Sequence, residues 1–354
     1  MHSSERHSLS LTAHVRSVPT WIGLLVIAGT LPGCTSGVPS TTSVMTVNGP
    51  IAPEQMGTTL PHEHVLVDFA GAEVVSPDRY DRREALETVL PHLQRARTLG
   101  LRTLVEATPA YLGRDPLLLR QLADASGMHL LVSTGYYGAR EDQHLPRHAF
   151  ADPADSLAAR WIREWMTGID GTGIRPGFIK IGVDGSPLSD VDRKLIQAAA
   201  RTHLRTGLTI AAHTGPAAGA LDQLAVLEAE GVHPSAWIWV HAQVEDDSTF
   251  HVRAARDGAW VSFDGLAPGN VERYVARVAL MKAEGLLHRV LVSHDAGWYH
   301  VGEPGGGTFR PYETLFTDLL PALTAAGFTH EEIHQLTDVN PAEAFAVRVR
   351  ARLP

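Results

Sequence analysis

The chain has 354 residues, 44% of them hydrophobic and 19% charged, and a formal net charge of −9. That is ordinary globular composition with enough apolar residues for one large core, and the acidic balance excludes nucleic acid as a partner. Cys34 is the only cysteine, so no internal disulfide supports the fold.

Arg6 and Arg16 precede the apolar run Trp21 to Leu31, which is too short to span a bilayer as a finished helix and reads as a secretory signal core. Leu31-Pro32-Gly33-Cys34 follows and looks like a bacterial lipobox, with Cys34 as the lipidated first residue of the exported chain. A plain signal peptide with an incidental cysteine is the other reading. The expected organisation is a signal peptide over 1–33, a Ser/Thr/Gly/Pro tether over 34–43 and one folded unit over 44–354.

Val44 to Ala52 predicts a hairpin turning at Asn48-Gly49. The run Thr59 to Asp68 contains His62-Glu63-His64 and is strand-like. Beyond it, helical periodicity over Arg82–Leu99, Pro116–Ser126, Asp155–Met166, Asp190–Arg205, Ala220–Glu230, Asp246–Asp257, Val271–Glu284 and Tyr312–Ala326 alternates with apolar strand segments. Those segments are Arg102–Glu106, His129–Ser133, Gly177–Ile181, Leu208–His213, Trp237–His241, Trp260–Asp264 and Arg289–Ser293. Eight strands alternating with helices predict an α/β fold, a (β/α)8 TIM barrel, with the hairpin at its base and a C-terminal helical extension. An open doubly wound sheet would need a glycine-rich fingerprint after its first strand, where this chain has His62-Glu63-His64. In the extension, Thr329–Leu336 reads as a short helix and Asn340-Pro341 as the cap and first turn of another.

Active sites of such barrels lie at the C-terminal strand ends. Those positions hold His62 and His64 on the first strand, Lys180 on the fourth, His213 on the fifth, His241 on the sixth and Asp295 after the eighth. Residues i and i+2 of a strand share a face, so His62 and His64 can serve one ion. Imidazole and carboxylate suit zinc and similar divalent ions. Any one of these histidines alone is more often structural; the ordered set is what points to a metal site. The chain has only three lysines, Lys180, Lys194 and Lys282. An ammonium at Lys180 would repel cations, and it becomes a ligand only if neutralised, as by carboxylation with carbon dioxide.

The set His62-x-His64, Gly177-Phe178-Ile179-Lys180, His213-Thr214, His241 and Ser293-x-Asp295 resembles the phosphotriesterase family of the amidohydrolase superfamily. Gly113-Arg114-Asp115, Thr134-Gly135 and Asn340-Pro341-Ala342 add to the likeness, which runs from about Val44 to the C-terminus. The resemblance implies two divalent ions, most simply Zn2+: one held by His62, His64 and Asp295, the other by His213 and His241. A carbamate on Lys180 and a hydroxide would bridge them, with Asp295 as the catalytic proton acceptor. Glu106, ending the second strand, competes with Lys180 as a bridging carboxylate but is expected to stand behind the ligands, and so is His294.

Tyr136, Tyr137, Trp298 and Tyr299 are candidate pocket residues, and Phe309 is equally balanced between packing and pocket wall. Gly302 to Gly307 is expected to be part of a mobile lid. Tyr137 is similar in place to a tyrosine that lactonase members set beside the metals, but Gly265 stands where those members have an arginine. The expected activity is hydrolysis of lactone or carboxylic ester bonds, with phosphotriester cleavage as a side reaction. A dedicated phosphotriesterase and a mononuclear, deaminase-like amidohydrolase are the alternatives; a tethered binding protein without catalysis should have lost a ligand, and none is missing. The expected partner is a small-molecule ester, with membrane contact only through a lipid on Cys34; a homodimer is left open.

Overall fold

The computed structural model describes residue 12 and residues 42–352; the rest of the expected signal segment, Cys34 and the expected tether through residue 41 lie outside the described residues. The hairpin forms as expected, β1 (Val44–Thr46) antiparallel to β2 (Gly49–Ile51). The first half of the barrel runs β3 (Thr59–Val67), α1 (Arg82–Thr98), β4 (Thr103–Glu106), α2 (Pro116–Ser126) and β5 (His129–Leu131), which continues as β6 (Ser133–Thr134). Next come α3 (Arg147–Ala151), α4 (Ala154–Thr167), β7 (Phe178–Gly182), α5 (Asp190–Thr206), β8 (Ile210–His213) and α6 (Ala217–Ala229). The series closes with β9 (Trp237–Val240), α7 (Ser248–Arg256), β10 (Trp260–Phe263), α8 (Val271–Ala283), β11 (Val290–Val292) and its continuation β12 (Gly297–His300). Among the described residues no helix is long and apolar enough to cross a membrane.

Neighbouring barrel strands pair in parallel from β3 through β4 to β5, and from β6 through β7, β8, β9 and β10 to β11. The last strand meets the first where Asp295 N donates to His62 O at 3.1 Å and His64 N donates to Ala296 O at 2.8 Å. The ring is therefore closed, and no edge strand is left in it.

Alternation along the strands builds two cores. Leu104, Ile179, Ile181, Ile210, Ala212, Trp237, Trp239, Val261 and Phe263 face the helices. Val105, Leu131, Phe178, Ala211, Ile238, Trp260 and Leu291 fill the barrel interior, floored by Val44, Met56 and Phe345. Two residues further along, the same inward direction carries Lys180 above Phe178 and His213 above Ala211. Local signals set the helices that hold these strands apart. Asp115 accepts hydrogen bonds from the amides of Leu117 and Leu118, with Pro116 at the first helical position of α2. Ser189 and Asp192 cap α5 reciprocally.

The C-terminal helices differ from the expectation. The segment expected as one helix from Tyr312 begins with a π turn over Leu315–Leu319 before α9 (Leu320–Ala325). A second π turn over Gln335–Val339 joins α10 (His330–His334) to α11 (Asn340–Phe345). Each precedes a proline, Pro321 or Pro341; a proline lacks the amide and crowds the carbonyl four residues back, and a widened turn relieves both problems. Asn340 is thus inside a continuous helix and is not a cap. Its amide donates to Leu287 O and Val290 O, both at 2.8 Å, and ties the extension to the start of β11.

Candidate metal centre

His62 and His64 lie on β3, both nearly fully buried, with ring centroids 5.4 Å apart. Each ring is anchored through Nδ1: His62 to Asp264 Oδ2 at 2.9 Å, His64 to Thr108 Oγ1 at 2.7 Å. His241 follows β9 in a left-handed conformation, φ 62°, held by Asp264, which accepts from its backbone amide at 3.1 Å and meets its Nδ1 at 2.7 Å. With Nδ1–H donating outward, Nε2 of each ring keeps a free lone pair, the tautomer a metal requires. His62, His64 and Asp295 form a group that could hold an ion: Asp295 Oδ1 is 3.0 Å from His64 Nε2 and 3.7 Å from His62 Nε2. His62, His241 and Asp264 also converge. There the histidine–carboxylate gaps are hydrogen-bond distances already filled by protons, so Asp264 is an anchor behind the ligands rather than a ligand.

His213 sits above Ala211 with its ring 4.5 Å from that of His241. The Tyr137 hydroxyl lies 3.3 Å from both of its nitrogens. Lys180 is buried in the same cavity, Nζ 3.2 Å from His62 Nε2. Among the described residues, no carboxylate oxygen comes within ion-pairing distance of it. The six residues selected in the sequence therefore line one cavity of about 100 Å³, together with Phe69, Tyr137, Arg140 and Trp298.

Burial sets the protonation states. It pushes His64 down to about 4 and depresses His62 and His213, leaving them neutral. Burial also pulls Lys180 down to about 8, which keeps part of the amine unprotonated near neutral pH. Asp264 resists the opposing effect of its own burial because His241 and His62 hold its carboxylate well below the ordinary range, and it in turn raises His241. Asp295 is likewise depressed: the histidines around it outweigh its desolvation.

Glu63, between the two histidines, points to the other side of the strand. Its fully buried carboxylate accepts from Ser293 Oγ at 2.7 Å, His294 N at 2.9 Å, His294 Nδ1 at 2.7 Å and Ala296 N at 2.8 Å. It thereby grips the segment that carries Asp295. His294 Nε2 accepts from Leu315 N at 2.9 Å, so this histidine joins Glu63 to the C-terminal extension and does not face the cavity. The turn it holds is tight: Asp295 and Trp298 have φ of 53° and 77°. Gly297 between them admits no side chain, since a Cβ would lie 1.8 Å from His64 O. Neither Glu63 nor Asp264 was among the expected site residues. The signal available was a carboxylate at a strand position that should be buried.

The four candidate pocket residues separate in alternating pairs. Tyr137 and Trp298 line the cavity, the indole 4.1 Å from the His64 ring. Tyr136 and Tyr299 do not: each is turned away from the side its neighbour takes. Tyr136 packs edge-on to Trp161 and bonds His148 Nε2 at 3.0 Å, and Tyr299 is buried in the core on the α1 side. Phe309 stacks on His92 of α1. The 302–307 segment does not line the cavity; its Gly306 is buried against the Tyr299 ring. Glu106 stands behind His64, 4.0 Å from Nδ1, accepting from the amides of Val65 and Thr108, and burial raises it to about 8. At Gly265 a Cβ would lie 2.8 Å from Gln243 Nε2, so any side chain there has to displace Gln243.

Residues 42–345 match the model of the Phosphotriesterase family. The chain belongs to that family, and is a hydrolase of it. It is 29% identical over 293 residues to a phosphotriesterase homology protein from Escherichia coli, covering 82% of this chain and 98% of that protein. An aryldialkylphosphatase from Saccharolobus solfataricus is 27% identical over 313 residues, covering 84% of this chain and 97% of that one. The solved structure of a mutant PTE-like lactonase from Deinococcus radiodurans superimposes with a TM-score of 0.76 at 30% identity, covering 86% of this chain and 100% of that one.

Proposed function

We propose that this chain is a hydrolase of small carboxylic esters or lactones that works with two divalent ions, most simply Zn2+, and a carbamate on Lys180. The observation that carries the metal reading is the convergence of the Nε2 atoms of His62, His64 and His241 with Asp295 on one buried cavity, each ring anchored outward through Nδ1. His62, His64 and Asp295 would hold one ion, His213 and His241 the other, with the Lys180 carbamate between them. Bound ions of this kind lower the pKa of water and polarise the scissile carbonyl.

The chain's own residues do the rest. Lys180 Nζ, drawn down by burial, has the lone pair needed to add to carbon dioxide, forming an N–C bond and releasing a proton. The Asp295 side chain is 27% exposed, against 2% for the whole of Lys180, which gives a proton taken up at Oδ a way to solvent. The Tyr137 hydroxyl, held protonated by burial, is placed to donate to a substrate oxygen beside His213. The aryldialkylphosphatase relative favours phosphotriester cleavage as the second reading.

Proton release by the metal-replete protein, with bicarbonate present, should be faster for lactones or aryl esters than for matched phosphotriesters. The reverse order would replace the substrate reading. Lys180→Met should lose both paired metal binding and activity, and full activity in that variant would refute the mechanism. Export and tethering through Cys34 are part of the proposal; fatty-acid labelling lost in Cys34→Ser would support them, and labelling of neither form would reject them.

A further inference from the structure

Beside the ligands, the cavity wall has one feature that the proposed hydrolysis does not use. Arg140 lines the cavity with Phe69, Tyr137 and Trp298. Its guanidinium carbon lies 5.4 Å from the centre of the Phe69 ring, and Phe69 itself is stacked on Trp298 at 5.9 Å. A ring face supports the guanidinium and leaves its in-plane N–H groups free. Among the described residues, they donate to nothing and no carboxylate is within ion-pairing distance.

The backbone there is held in an unfavourable shape. Arg140, Glu141 and Asp142 are three successive non-glycine residues at φ 65°, 58° and 60°. Single residues visit this region at a cost, and runs of them are avoided. The Asp184 carboxylate fixes the bend, accepting from the amides of Arg140 at 2.8 Å and Glu141 at 3.0 Å. A further bond from Asp142 N to Gly138 O, at 3.0 Å, completes it. Such strain persists where neighbouring groups impose it, and here its product is one arginine placed at a substrate cavity. Behind the same wall, His144 is 1% exposed, 5.9 Å from the Phe69 ring and 6.1 Å from Tyr137, with no partner for either ring nitrogen among the described residues.

We propose that Arg140, braced on Phe69 and aimed by the Asp184-held bend, is a specificity residue that binds an anionic group, a carboxylate or sulfonate, on the substrate of this site. The inference rests on the ester-hydrolase reading and adds the substrate's charge to it. Arg140 is exposed whereas His62, His64 and Lys180 are buried and His213, His241 and Asp295 are partly so, so the anionic group lies several bonds from the scissile carbonyl. A guanidinium with free N–H groups matches either oxyanion in a two-pronged contact.

The test compares 4-acetoxybenzoate and 4-acetoxybenzenesulfonate with the neutral methyl 4-acetoxybenzoate, and monophenyl glutarate with its methyl ester. The expected result is that at least one charged compound exceeds its neutral partner by about tenfold or more in kcat/KM, chiefly through KM. The ratio should collapse towards one in Arg140→Ala and recover in part in Arg140→Lys. Whichever acid is preferred identifies the oxyanion. A wild-type ratio near one for every pair, or a ratio unchanged in Arg140→Ala, overturns the proposal. A second readout does not depend on catalysis: 4-hydroxybenzoate and 4-hydroxybenzenesulfonate should bind the metal-free wild-type protein in calorimetry at least about tenfold more tightly than Arg140→Ala. If no ester is hydrolysed but that difference holds, the hydrolase reading fails and the anion site stands. If esters are hydrolysed and that difference is missing, the anion site fails alone.

Discussion

Asp264→Asn is the most demanding test of how this centre is organised. The carboxylate is fully buried and has two histidine partners on opposite oxygens, His62 Nδ1 on Oδ2 and His241 Nδ1 on Oδ1. It also accepts from Ser262 Oγ at 2.8 Å and Gln243 Nε2 at 3.1 Å. Asparagine keeps the shape but offers one acceptor oxygen and one donor nitrogen. One of the two imidazoles must then present an unprotonated Nδ1 to the amide, which puts its proton on Nε2, inside the cavity where an ion should bind. Loss of such an outer partner costs 10- to 100-fold in metal affinity, about 1.4–2.8 kcal/mol. Because His62 and His241 are assigned to different ions, the substitution should weaken at least the ion whose histidine is flipped. The assay is chelator-competition titration with Zn2+ on wild type and variant, with bound metal counted after desalting. Undiminished affinity for both ions would refute the reasoning that Asp264 sets the tautomers.

Glu63→Gln should destabilise the protein by about 3 kcal/mol in denaturant titration, because one buried oxygen becomes a donor facing amide or hydroxyl hydrogens. A loss under about 1 kcal/mol would mean that Glu63 does not grip the Asp295 segment. His203, fully buried, bonds Leu208 O through Nδ1 at 2.8 Å and accepts Arg350 N on Nε2 at 2.9 Å, and burial lowers it from 6.5 to about 4. Between those values the unfolded chain binds a proton that the folded one does not, so stability falls as pH drops through the window, by up to about 3 kcal/mol below pH 4. His203→Gln should flatten that acid limb, whatever it does to stability at pH 7; identical slopes would show that His203 is not its source.

Much of this protein is legible without coordinates. Alternation with period two and amphipathic helices capped by residues such as Asp115 and Ser189 are local properties, and they determine the strand and helix order and hence the barrel. The barrel in turn determines that residues at strand ends meet, so His62, His64, Lys180, His213, His241 and Asp295 could be selected together although they span most of the chain. Tertiary structure alone decided the rest. Which of two adjacent aromatics enters the cavity depends on strand register, which separates Tyr137 from Tyr136 and Trp298 from Tyr299. Asp264 and Glu63 become anchors only because closure of the ring brings the end of β10 within reach of His62 and the segment after β11 beside the histidine strand. The left-handed backbone of Arg140 depends on Asp184, 44 residues away. Each of these follows from a contact between distant segments, which no local pattern encodes.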